Sequence, residues 1–261
     1  MVSITSEQLY AWIAGFIWPL ARVLALLGTA PMFSESGVPQ RIRLGVGILL
    51  TLVISPALGP LPTVNPASYE GLWILVQQVL IGVLLGLTMQ VVFAIVRTTG
   101  EFIGLQMGLS FATFFDPGTQ SNTAVLGRLF HWVTLMVLIA LDAHLLMLAG
   151  LVHSFEVVPV SATPFSINGV GAFLEWSAQI IQLGLVLSLP LVTALLTMNL
   201  AMGILNRTAP QLSVFAVGFP LALLAGLVML IIVVPNTTPF LERLISMALD
   251  AFSEVALQLR P

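Results

Sequence analysis

Charged positions punctuate long uncharged runs in this chain. Residues 8–21, 44–69, 71–96, 129–141, 176–206 and 208–241 hold no Asp, Glu, Lys or Arg. Several of these runs exceed the roughly 20 apolar residues that cross a bilayer core as a helix. The pattern predicts an all-α protein with six long apolar helices, at about 9–30, 42–58, 71–98, 124–151, 177–205 and 211–234. An amphipathic helix at 240–259 follows Pro235 and Pro239. The most polar connection is 152–175, with Ser161, Thr163, Pro164, Ser166, Asn168 and Gly169. Pro19, Pro190 and Pro220 fall inside apolar runs, where each removes a backbone hydrogen bond and kinks the helix. The run at 42–58 is short for a span, whereas 71–98 would measure roughly 42 Å. The first helix is too long for a signal-peptide core of about 7–15 residues and reads as a retained segment.

Composition narrows the class. The chain has 261 residues, 58% hydrophobic and 7% charged, with a mean hydropathy of +1.08. Soluble domains carry about 25% charged residues, so this chain cannot cover a water-facing surface. Soluble enzymes and disordered chains are set aside on that ground. The net charge of −3 offers no basic face to a nucleic acid. All eight basic residues are Arg, and Cys is absent. That removes disulfides, thiolate metal sites and thiol nucleophiles.

The Arg positions suggest an orientation. Loop 31–43 carries Arg41 and Arg43, segment 97–128 is bounded by Arg97 and Arg128, and the turn near 207 carries Arg207. Loops 59–70 and 152–175 hold Glu70, Glu156 and Glu175 but no Arg. The alternation predicts six spans with both ends outside the cytoplasm.

Catalytic groups are scarce. Asp142 is the one acid deep in an apolar run, so the paired Asp of an intramembrane protease cannot be assembled. No Walker lysine exists. The reading is a non-enzyme with no cofactor and no metal. His131, Asp142 and His144 share one predicted helix, but His131 and Asp142 lie about three turns, roughly 16 Å, apart. Asp142 and His144 point to opposite sides. Asp142 is either a functional charge or a polar contact to a neighbouring helix. Arg22 is the second deep charge, costing about 2.5–3.5 kcal/mol at a span centre. A carboxylate, a helix C-terminus or a wet cavity must offset it.

The stretch RTTGEFIGLQMGLSFATFFDPGTQSNTAVLGR, residues 97–128, is the most informative. Gly100, Gly104 and Gly108 recur every fourth residue and predict a groove for close helix packing. Met107, Phe111, Phe114 and Phe115 then crowd together, and Asp116-Pro117-Gly118 makes a turn. Such a loop is either a hydrophobic plug that gates a pore by dewetting or ordinary interior packing.

Four stretches together carry a resemblance: WPLARVLALLGTAPMFS, VPQRIRL, EFIGLQMGLSFATFFDPG and GILNRTAPQLSVFAVGFPL. In order and spacing they are similar to the FliR family, subunits of the flagellar type III export gate. The turn of Asn206, Arg207, Pro210 and Gln211, followed by Phe215, is the most specific piece. Related injectisome subunits share it, and Val217-Gly218-Phe219-Pro220 favours the flagellar branch.

The resemblance implies a FliP-like part over 1–151, containing a plug loop at 106–122. The polar connection 152–175 follows, and then a FliQ-like hairpin and tail over 176–261. It implies Met107, Phe111, Phe114, Phe115, Asp116, Pro117 and Gly118 as the pore plug. It also implies partners FliP and FliQ in a helical assembly, with FlhB, membrane lipid and transient unfolded export substrates. The location implied is the flagellar basal body in the bacterial inner membrane. A six-span secondary transporter is the alternative, although its two halves should show matching interruptions, and none pair here.

Overall fold

The computed structural model describes residues 6–35, 37–59, 61–62, 64–109, 125–208 and 218–261, with the backbone alone for 6–12 and 14. Among these residues the chain is all helix. The elements are α1 (Ser6–Thr29), α2 (Gln40–Ile54), α3 (Tyr69–Gln106), α4 (Val125–Ala140) and α5 (Ala143–Val157). Then come α6 (Asn168–Thr208), α7 (Phe219–Asn236) and α8 (Thr238–Gln258). A 3-10 turn, Ser55–Ala57, extends α2.

The predicted fourth helix is two helices. The chain breaks at Asp142, which adopts φ 53° and ψ 22°. Asp tolerates this left-handed conformation better than most residues. Its carbonyl accepts from Leu145 and Leu146 N–H at 2.9 and 3.2 Å and so starts α5. Asp142 is exposed, not a charge deep in the fold.

Two helices run longer than the pattern predicts. α3 continues past Arg97 to Gln106, because Arg97 and Glu101 are exposed while Val96, Thr99, Gly100 and Ile103 are buried. α6 begins at Asn168, inside the predicted polar connection. The Ser166 hydroxyl accepts from Asn168 N–H at 3.3 Å beside that start. Pro190 lies within α6 and Pro19 within α1. Pro220, in contrast, falls in the first turn of α7, where it starts the helix rather than kinking it.

Gln40–Ala57, α3, α6 and α7 are long and apolar enough to cross a membrane, and α4 with α5 is a broken fifth candidate. The apolar part of α1, Gly15–Thr29, is shorter. That makes four or five spans by length and composition among the described residues, where the pattern predicts six. Their burial differs. In the span window of α3, 61% of residues are buried, against 28% in α6 and 17% in α7 and in Gln40–Ala57. Of these four candidates α3 is the most buried, and the other three turn more apolar side chains outward.

The chain forms two compact units, each drawn from separated stretches of sequence. The first comprises residues 1–91, 142–177 and 245–261. Its core includes Trp18, Leu26, Ile81, Leu85, Leu151 and Phe252. α1 and α3 approach closely here: a Cβ at Gly82 would strike the Arg22 carbonyl and Ala25, and one at Gly86 would strike Thr29. This Gly-x-x-x-Gly pair brings two backbones together, as small residues do in membrane helices. The part of α8 that belongs to this unit buries Ile245, Ala248, Phe252 and Val255, and Leu259 is buried just beyond its end. Phe252 packs on Gly150 and Leu259 on Gly169. The second unit comprises residues 92–141 and 178–244. Phe93, Ile103, Met107, Phe130, Leu191 and Leu195 belong to its core.

Candidate functional site

Two places in the described residues gather most of the contacts made by sequence-predicted site residues. One is the buried arginine of the first unit; the other is the C-terminal end of α3 in the second.

Arg22 is fully buried. Its charge is offset by the C-terminus of α5. Nη1 donates to the Ser154 carbonyl at 2.9 Å and lies 3.2 Å from the Ser154 hydroxyl. Nη2 donates to the Val158 carbonyl at 2.8 Å, and Nε donates to Gln78 Oε1 at 2.9 Å. The guanidinium also stands 4.1 Å from the centroid of the Phe155 ring. The final carbonyls of a helix carry partial negative charge and lack partners within the helix. Arg22 supplies both the cation and the donors, and in doing so ties α1, α3 and α5 together. Nearby, the Trp176 indole donates to the Thr88 carbonyl at 3.0 Å, fastening α6 to α3.

At the end of α3, the three glycines have three different environments. A Cβ at Gly100 would collide with the backbone of Leu126 and Gly127, so α3 and α4 touch there. Among the described residues, a Cβ at Gly104 would meet only Leu109 of its own turn. Gly108 ends the helix: with φ 79° it takes the left-handed position that favours glycine. Leu109 N–H bonds the Gly104 carbonyl at 2.9 Å, and Gly108 N–H bonds the Leu105 carbonyl at 3.1 Å. These two bonds form a Schellman motif. The fourth-residue spacing thus combines one packing contact and one helix stop.

Met107 is fully buried and packs on Gly226 of α7. Phe111, Phe114, Phe115, Asp116, Pro117 and Gly118 lie outside the described residues. Asn206 and Arg207 occupy the last turn of α6, and Arg207 is exposed. Pro210 lies outside the described residues.

Further contacts stiffen this unit. The His131 ring packs on Phe93 with centroids 4.8 Å apart. Arg97 Nε donates toward His131 Nδ1 at 3.4 Å, an arrangement that uses the ring nitrogen as an acceptor. The Thr99 hydroxyl lies 3.0 Å from the Ile95 carbonyl and 3.1 Å from that of Gly184, joining α3 to α6. Among the described residues no group of three or more His, Cys, Asp or Glu side chains could hold a metal ion. The arrangement joins helices.

A family described as bacterial export proteins, family 1, matches residues 13–248. The chain belongs to this family. Three relatives share one name. Flagellar biosynthetic protein FliR of Escherichia coli (strain K12) is 45% identical over 259 residues, covering 99% of each chain. FliR of Pectobacterium carotovorum subsp. carotovorum is 44% identical at the same coverage. FliR of Bacillus subtilis (strain 168) is 30% identical, covering 83% of this chain and 85% of its own. These relatives are named as flagellar biosynthetic proteins, not as enzymes. The similarity to the Escherichia coli relative extends through α8.

Proposed function

We propose that the chain is a non-enzymatic subunit of the flagellar protein export gate. The observation that carries this reading is similarity to FliR over 99% of both chains at 45% identity. The uncovered apolar helices support it: a chain with extensive exposed apolar surface is built for lipid and for apolar partners. On this reading FliP and FliQ pack beside it in the bacterial inner membrane, within the flagellar basal body. FlhB lies nearby, and unfolded flagellar proteins pass through. Residues 1–151 act as the FliP-like part and 176–261 as the FliQ-like part, joined by 152–175.

The channel seal is assigned to the segment that follows α3, with Phe111, Phe114 and Phe115 as its apolar bulk. A closed channel must exclude ions and later admit a polypeptide. A soft apolar seal excludes water and can be displaced. Co-expression with FliP and FliQ, followed by mass measurement of the purified complex, tests the assembly. A monodisperse, protease-resistant monomer obtained from the chain alone would overturn it. Deleting 110–117 should leave assembly intact and make the membrane leak small ions. Loss of assembly without a leak in the complexes that form would return the loop to ordinary packing.

A further inference from the structure

We infer that Met107 is a positioning residue: seated against Gly226, it registers the C-terminal end of α3 on α7 and fixes where the chain leaves that helix. A Cβ at Gly226 would meet Met107 Cε and Cγ at 2.6 Å and Sδ at 2.7 Å. Most of the thioether side chain, not its tip alone, fills the space that any side chain at 226 would need. Gly226 lies on the buried face of α7, between Ala222 and Leu230. Unbranched and polarizable, Met suits such an irregular notch.

The knob is held firmly on its own helix. Met107 N–H bonds the Ile103 carbonyl at 2.9 Å, closing the last α-helical bond of α3. The next residue, Gly108, then reverses the chain in the Schellman turn. Met107 therefore directly follows α3, and its seat on α7 sets both the position and the direction of residues 108–109. A displacement of α7 must move Met107 or open the notch. This inference rests on the reading that the segment beyond residue 109 seals the channel. Under that reading, Met107 anchors the seal, although the sequence pattern groups it with the sealing residues.

The test uses the full chain in its co-expressed export complex, with Gly226→Val, Gly226→Ala, Met107→Ala and the double variant Gly226→Val/Met107→Ala. Overpacking by Gly226→Val should lower Tm by about 2–12 °C. Met107→Ala should restore most of that loss, because it empties the space the valine needs. Gly226→Val should also raise small-ion leak in the same direction as deletion of 110–117, and the double variant should be tighter than Gly226→Val alone. If Gly226→Val fails to assemble, Gly226→Ala with and without Met107→Ala gives the same comparison.

Additive Tm losses would overturn the pairing. A tight membrane with Gly226→Val, beside a leaking deletion, would overturn the positioning role alone. A tight membrane with the deletion would instead sink the sealing reading and the positioning role with it, while the Tm comparison still decides the contact.

Discussion

Replacing Arg22 by Met sets two physical arguments against each other. Arg22 is buried, and it donates to Gln78, Ser154 and Val158, none of them acidic. If its desolvation dominates, an apolar replacement should stabilise the fold, as it can for buried ion pairs. The geometry argues the opposite, because the principal acceptors are the Ser154 and Val158 carbonyls at the end of α5. Backbone carbonyls cannot be replaced: Met would take the Arg22 donors away from both, leaving the Ser154 carbonyl its bond from Val158 N–H at 3.0 Å and the Val158 carbonyl without its Arg22 donor. Each buried acceptor left unpaired costs about 1–3 kcal/mol. With the Gln78 amide and the Phe155 ring contact also lost, the expected destabilisation is about 3–5 kcal/mol. For a chain of this size that corresponds to roughly 6–20 °C in Tm. Arg22→Lys keeps the charge but cannot reach both carbonyls and Gln78 at once, so it should recover only part of the loss. Thermal unfolding of the purified complex, followed by tryptophan fluorescence, reads the effect; Trp18 and Trp176 are buried in the same unit. An Arg22→Met variant as stable as the parent, or more so, would refute the clamp.

Three further outcomes are expected. Gly82→Ala should destabilise by about 2 kcal/mol or more, since its Cβ would meet the backbone of α1. Gly28→Ala, with nothing within 4 Å of its Cβ, should be neutral or stabilising by about 0.5–1 kcal/mol; equal Tm values for the two variants would contradict the close approach. Phe252→Ala should cost about 3–5 kcal/mol by leaving a cavity over Gly150. Limited proteolysis would read that loss as faster cleavage in residues 142–177, and an unchanged pattern would show that α8 is dispensable. A cysteine at Asn206, in a chain with no native cysteine, should label from the cytoplasmic side before assembly; labelling only from the periplasm would reverse the orientation read from the Arg positions.

Much of this architecture is legible in the sequence, and the departures share a cause. The apolar runs locate α1 and α2 closely, because hydropathy and helix propensity agree there. The pattern stops α3 at residue 98, where charges begin, yet the helix continues to Gln106. Hydropathy averages over a turn, whereas the fold sorts residues by face: Arg97 and Glu101 face outward while Thr99, Gly100 and Ile103 face inward. The same sorting starts α6 at Asn168, with Trp176 buried and Glu175 exposed one residue apart. The break at Asp142 was also within reach. A residue that favours helix starts, set in the middle of an apolar run, reads equally well as a boundary.

What local pattern cannot supply is the partner of a long-range contact. Three ways of offsetting Arg22 are open from sequence, and the C-terminus of α5 lies 132 residues away from it. The Gly82–Gly86 pair carries the same spacing as Gly100–Gly104, yet the first pair receives α1 at both positions, while in the second, among the described residues, only Gly100 meets a neighbouring helix. Spacing states that a helix can be approached; the opposite face decides whether it is. Ala25 and Thr29, four residues apart on α1, are the complementary small residues that make the first pair a contact. Met107 shows the same limit. Leu105, Leu109 and Phe111 lie within four residues of it, which argues for an apolar cluster, but its seat is a glycine more than a hundred residues later in the chain. In a protein with so little charge, apolar character distinguishes almost nothing. The residues that specify the arrangement are those lacking a side chain and the few that hydrogen-bond.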